Sequence, residues 1–191
     1  MAKVFISYRR SESSKDSGRI YDYLSNHLPE ANVFKDVHSI SKGDDFRTVI
    51  QKVLRTTDAV LVLISPRWLN MRLGNGTRRL DDPWDYMRME VQIALEQTRD
   101  CLVIPVLLDN ASMPSEKELP VILRPLAFCN AAVVRDGPDL LHDMQVLIDR
   151  IVAHIEADTD STQPSKPYIQ QAGLDGKVYV PKINLNSKMG S

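Results

Sequence analysis

Ala59-Val60-Leu61-Val62-Leu63-Ile64, followed by Ser65-Pro66, is an apolar run without polar interruption. A strand with one solvated face alternates apolar and polar side chains, so this run reads as a strand covered on both sides and central in its sheet. Ser65-Pro66 ends it, because proline restricts the residue before it and lacks a ladder donor. Both faces of such a strand must be covered by other elements, and the flanking sequence supplies them.

Upstream, Lys3 to Ser7 (KVFIS) is a β-rich run, and Ile20, Leu24 and Leu28 then recur every four residues, so a strand, a loop and a helix follow one another. Residues 32–35 (NVFK) suggest a second strand, and the polar loop DVHSISKGDD leads into a helix with Phe46, Ile50, Val53 and Leu54 on one face. Asp44 or Asp45 caps its start. Downstream, a long loop precedes a helix expected to begin near Trp84, with Met87, Val91, Ala94 and Leu95 in its buried stripe and Asp81 or Asp82 as its cap. Residues 102–107 (LVIPVL) read as another strand, although Pro105 points to an edge or a bulge. A helical turn around Val121 to Leu126, a strand at 130–134 and a helix near 139–156 complete the pattern.

Alternating strands and helices predict an α/β fold with a parallel sheet and helices on both faces. In such folds ligands sit outside the carboxyl ends of the strands. That rule selects the loops beginning at Ser7, Asp36, Ser65 and Asp109, together with the segment before the Trp84 helix.

The chain of 191 residues is 43% hydrophobic and 26% charged, with 24 basic against 25 acidic residues and a net charge of −1. This is the composition of a globular protein and argues against nucleic-acid binding. The N-terminus lacks the features of a signal peptide, and no apolar run approaches the ~18 residues of a membrane span. Cys101 and Cys129, in strand-like surroundings, cannot form a disulfide framework, which points to a reducing cytoplasm. His27, His38, His142 and His154 are scattered and lack zinc-site spacing, so no metal is expected. Residues 1–156 read as one domain. Residues 157–191, rich in Ser, Thr, Pro, Gly and Asn, read as a linker or tail leading to a sensor domain or acting as a regulatory arm.

Four blocks, KVFISYRRSESSKDSGRIYDYL (3–24), FKDVHSISKGDDF (34–46), VLVLISPRWL (60–69) and RRLDDPWDYMRMEVQIAL (78–95), together closely resemble a bacterial Toll/interleukin-1 receptor (TIR) domain of the NAD-cleaving type. The resemblance covers residues 3 to about 150 and implies a flavodoxin-like three-layer fold with a five-stranded parallel sheet. It implies one of two activities. Some members are non-catalytic adaptors that act by homotypic interaction. Others cleave NAD+ at the nicotinamide–ribose bond, giving nicotinamide and ADP-ribose or a cyclic ADP-ribose isomer, as prokaryotic antiviral immune effectors activated by self-assembly.

In the enzyme class the catalytic glutamate falls on Glu90. On a helical wheel Glu90 lies about 80° from the centre of the Met87, Val91 and Ala94 stripe, at the edge between core and solvent. A carboxylate there suits the chemistry, because expelling neutral nicotinamide leaves an oxocarbenium-like ribose whose developing charge it can stabilise. The resemblance also assigns Tyr8, Arg9, Ser65 and Trp68 to the nucleotide pocket. Tyr8 would stack on the adenine and Arg9 neutralise the pyrophosphate; solvation of Arg9 and Arg10, or their pairing with Asp36 and Glu12, is the alternative. Trp84 is expected to pack at the start of its helix or to wall the nicotinamide pocket. Arg78 and Asp81 are expected to form a salt-bridged loop or to order the ribose. No GxGxxG follows the first strand, so NAD+ would be a substrate and no cofactor is called for. His38, Ser39, Ile40, Ser41, Lys42, Gly43 and Asp44 match the family's mobile assembly loop, through which copies join head to tail, as in a filament.

Overall fold

The computed structural model describes residues 2–35, 45–97 and 101–161, apart from the side chains of Phe46 and of residues 158–161. Five strands, β1 (Ala2–Ser7), β2 (Ala31–Lys35), β3 (Ala59–Ile64), β4 (Leu102–Leu108) and β5 (Ala132–Val134), form one sheet in the order β2-β1-β3-β4-β5. Every pairing is parallel. Four helices connect or follow them: α1 (Arg10–His27), α2 (Phe46–Leu54), α3 (Tyr86–Leu95) and α4 (Leu140–Ser161). This is the three-layer α/β arrangement that the apolar run at 59–64 requires.

All six residues of β3 are buried. Ala59, Leu61 and Leu63 point to one face, where they meet Ile20 and Leu24 of α1 and Met144, Leu147, Ile148 and Ile151 of α4. Val60, Val62 and Ile64 point to the other, against Ile50 and Leu54 of α2 and Met87, Val91 and Ala94 of α3. The missing alternation is thus the signature of two cores sharing one strand. Truncating a residue such as Leu61 to Ala would cost about 2–5 kcal/mol.

Pro105 lies inside β4, opposite Val62 of β3. β5 begins to pair with β4 only at Val106. At Pro105 the strand therefore has a paired neighbour on one side only, and the absent N–H does not interrupt a doubly laddered stretch.

Asp45 caps α2, its carboxylate accepting the Arg47 N–H. The cap of α3 differs from expectation. The helix starts at Tyr86, and Asp85 is its cap, accepting the Arg88 N–H at 3.0 Å. Asp82 instead accepts the Trp84 N–H in the preceding turn, while Asp81 lies in a 3₁₀ turn, Arg79–Asp81. The closing helix reaches Ser161, beyond the expected 156. Cys129 falls between a 3₁₀ turn (Val121–Phe128) and β5, not in a strand. Among the described residues no helix is long and apolar enough to cross a membrane, and no group of three or more candidate ligands could hold a metal.

Candidate functional site at the ends of β1 and β3

In the order β2-β1-β3-β4-β5, the connection leaving β1 runs to β2 on one side and that leaving β3 runs to β4 on the other, so a crevice opens between the carboxyl ends of β1 and β3. A serine stands at the carboxyl end of each: the last residue of β1 and the first after β3. Ser7, fully buried, closes β1, and Ser65, 8% exposed, follows β3. Each hydroxyl holds a carboxylate delivered by the helix that follows the other strand. Ser7 Oγ donates to Glu90 Oε2 of α3 at 2.7 Å, and Ser65 Oγ donates to Glu12 Oε2 of α1 at 2.6 Å. Glu90 itself is half-buried, in keeping with its place on the helical wheel.

One turn before Glu90 the start of α3 is clamped to the loop after β1. Arg9 Nη1 donates to Asp85 Oδ2 at 2.8 Å, and the two side chains are only 3% and 6% exposed. Arg79 Nη1 stands 3.9 Å from the same oxygen. Asp85 therefore caps the helix with Oδ1 and neutralises a buried cation with Oδ2. Arg9 Nε and Nη2 have no hydrogen-bond partner among the described residues.

On the other side of the crevice, Arg67 Nε stands 2.8 Å from Glu12 Oε1, an ion pair in which that buried oxygen accepts no hydrogen bond, while the Arg67 side chain is 77% exposed. Arg67 rides on a tight turn in which the Trp68 N–H donates to the Ser65 carbonyl at 3.0 Å. A cavity of about 240 Å³ begins at this turn, between the ends of β3 and β4, and Ser65, Pro66, Asn70, Asn110 and Ser112 contribute to its wall. Asp109 and Asn110 both adopt positive φ, 49° and 59°, the left-handed region that Asp and Asn tolerate best among non-glycine residues.

The sequence profile described as TIR domain matches residues 4–137. The chain belongs to the TIR domain family. No curated protein matches it. Among solved structures, the TIR domains of the activated Roq1 resistosome, which directly recognises the pathogen effector XopQ, superpose with a TM-score of 0.59 at 15% identity, covering 79% of this chain and 99% of that one. A metazoan TIR-STING receptor from C. gigas in complex with 2',3'-cGAMP gives 0.47 at 19% identity, over 74% of this chain and 38% of that one. A prokaryotic SEFIR domain gives 0.49 at 18% identity, over 80% and 99%.

Within this TIR domain the expected site residues separate into distinct places. Glu90, Arg9 and Ser65 converge on the crevice, and Tyr8 lies half-buried beside the α1 and α4 core. Arg9, however, is not a free cation at a pocket mouth. Its Nη1 is paired with Asp85 below the surface, and the counter-charge is therefore Asp85. Trp68 is 1% exposed, packed in the core with Nε1 3.0 Å from Met87 Sδ, so it anchors the turn.

Trp84 is displaced in the opposite sense. It is 62% exposed in a groove between α2 and α3 with Ile50, Met89 and Ile93, and the Arg47 guanidinium lies over its ring at 5.4 Å. Arg78 grips Asp81 through Nε at 2.9 Å and Nη2 at 2.7 Å, and reaches the Glu118 carbonyl at 2.6 Å. The hydrogen bonds of that pair hold Asp81 below the usual carboxylate range and raise Arg78. The pair thus fastens one loop to another, the salt-bridged option of the two expected. His38, Ser39, Ile40, Ser41, Lys42, Gly43 and Asp44 lie outside the described residues, as does Asp36.

Ser7, Glu12, Arg67 and Asp85 were not expected as site residues. A polar residue closing each of two buried strands, and an Asp directly before a helical stripe, are the signals that point to Ser7, Ser65 and Asp85. Nothing in the sequence pairs Glu12 with Arg67.

Proposed function

We propose that this TIR domain cleaves NAD+ at the nicotinamide–ribose bond, with Glu90 as the catalytic carboxylate. The observation that carries the reading is Glu90 itself: a half-buried carboxylate, oriented by a fully buried serine hydroxyl, at the crevice where a parallel sheet of this order binds ligands. The C1′–N bond breaks with its electron pair going to the pyridine nitrogen, so nicotinamide leaves neutral and the ribose carries the positive charge. A carboxylate held beside that ribose stabilises the charge as it develops. Ser7 contributes by fixing the rotamer of Glu90 before substrate arrives. Water then captures C1′ and loses a proton to give ADP-ribose; capture by a nucleophile of the same dinucleotide gives a cyclic isomer.

NAD+ is a substrate in this reading and no cofactor is needed. Self-association through the loop His38 to Asp44, head to tail and extensible into a filament, would activate the domain as a cytoplasmic effector of antiviral immunity, with a sensor domain or upstream activator as trigger. The second reading is a non-catalytic adaptor, and the exposed Trp84 in its α2–α3 groove favours it, since large exposed aromatics are characteristic of binding surfaces.

Incubating the full chain at high concentration with NAD+, beside Glu90→Gln, and resolving products by chromatography and mass spectrometry separates the two. The enzyme reading expects nicotinamide release that falls at least about 100-fold in the variant. No release under crowding that drives assembly, or equal release by both proteins, would overturn it.

A further inference from the structure

The basic side chains around the crevice are largely spent. Arg9 is buried against Asp85, Arg78 is forked onto Asp81 and the Glu118 carbonyl, and Arg47 is forked onto Asp45 at the α2 start. Arg67 differs. Its nearest approach to a carboxylate is an ion pair, Nε 2.8 Å from Glu12 Oε1 without a hydrogen bond to that oxygen, and the side chain is 77% exposed. With the side chain 77% exposed, the N–H groups of its planar fork are within reach of a ligand in solvent.

The fork is also held in place from below. Glu12, with 3% of its side chain exposed, is fixed by the Ser65 hydroxyl, and the turn is pinned at one end by Ser65 and at the other by the buried Trp68. The Arg67 carbonyl accepts the N–H groups of Asn70 and Met71 at 3.0 and 3.1 Å. A guanidinium positioned in this way loses little further freedom when it binds, and its geometry matches two oxygens of a phosphate. The cavity of about 240 Å³ opens directly beside the same turn.

We propose that Arg67, presented by the Ser65–Trp68 turn on the buried Glu12 carboxylate, is the cation that binds the pyrophosphate of a dinucleotide. This rests on the reading that NAD+ is the substrate, and it moves the anion contact from the loop after β1 to the turn after β3. The nucleoside beyond the pyrophosphate then lies toward the β3–β4 cavity, while the other ribose lies toward Glu90. Because Glu12 already takes part of the Arg67 charge, the contact supplies a moderate share of the affinity, and the fork geometry supplies the selectivity.

Binding of ADP-ribose and of adenosine to the full chain, followed by NMR titration or calorimetry, tests this without turnover. Wild type is compared with Arg67→Ala, Arg67→Lys and Glu90→Gln. Removing Arg67 leaves the buried Glu12 carboxylate without this cation, so the melting of each variant is measured and binding is compared at a temperature where all are folded. Arg67→Ala should weaken ADP-ribose about 5–20-fold and adenosine less than about 2-fold, with Arg67→Lys between, because it keeps charge and loses the fork. Glu90→Gln should leave the Arg67-dependent share intact. An ADP-ribose affinity unchanged in Arg67→Ala, an equal loss of adenosine, or no ADP-ribose binding by the wild type would overturn the assignment. If Arg67-dependent binding is found in a protein that never releases nicotinamide, the subsite stands and the catalytic reading falls.

Discussion

Replacing Asp85 by Asn separates two tasks that its carboxylate performs together. Oδ1 caps α3 through the Arg88 N–H, and Oδ2 neutralises Arg9. Asparagine caps a helix as well as aspartate does, so Asp85→Asn keeps the first task and removes the second. Arg9 would then be a buried cation, 3% exposed, with its carboxylate gone and Arg79 close by as a second positive charge. Breaking one side of a buried ion pair costs about 3–5 kcal/mol, and we expect about 3 for Asp85→Asn. Asp85→Ala adds the lost cap, about 1 kcal/mol more.

The opposite truncation should be milder. In Arg9→Met, Asp85 keeps the Arg88 N–H, and Arg79, 39% exposed, can close its 3.9 Å gap, so about 2 kcal/mol is expected. The double variant Arg9→Met/Asp85→Asn carries no buried charge and should lie within about 1 kcal/mol of wild type. Urea unfolding followed by circular dichroism, with the m-value held constant, measures all four. In a domain of this size Asp85→Asn should also lower Tm by about 6–12 °C. Asp85→Asn within about 1 kcal/mol of wild type, or a double variant as destabilised as the sum of the singles, would refute the view that the pair clamps α3 to the loop after β1.

Other consequences follow from buried and exposed groups elsewhere. Hydrogen bonds from the Arg135 side chain, and then from its backbone N–H, hold Asp143 below the usual carboxylate range and tie α4 to the end of β5. A carboxyl depressed in the folded state stabilises above its unfolded value of about 3.9, and that contribution is lost as pH falls from there toward the folded value. The gap in urea midpoint between wild type and Asp143→Asn should therefore be constant above about pH 5 and close in acid; a gap independent of pH would contradict the linkage. Burial, and then the nearby Asp58 charge, push the Cys101 thiol up to about 12, while burial raises Cys129 less completely. At pH 8 only about 10⁻⁴ of Cys101 is thiolate, so iodoacetamide should label Cys129 first, and both only at comparable rates in urea. Acrylamide should quench Trp84 and leave Trp68 emitting at short wavelength, and Trp84→Phe should remove the accessible component; equal quenching of both would contradict their placement.

The sequence alone determined the fold class and the family, because both depend on local and periodic information. The run at 59–64 demanded two covered faces, the four blocks at 3–24, 34–46, 60–69 and 78–95 carried the TIR resemblance, and the wheel placed Glu90 at the core edge. What it did not contain is which polar groups meet across elements distant in the chain. Ser7 and Glu90 are 83 positions apart, Arg9 and Asp85 76, and Ser65 and Glu12 53. The resemblance assigned Arg9 and Trp68 to the nucleotide pocket by position, and neither it nor periodicity showed that Arg9 meets Asp85 at the start of α3 or that Trp68 is covered by Met87. Only the folded sheet, by bringing the ends of β1 and β3 together, decided that the Arg9 guanidinium is buried against Asp85 while that of Arg67, paired with the buried Glu12, stays in solvent, since exposure depends on which elements pack over a side chain and not on the residue itself.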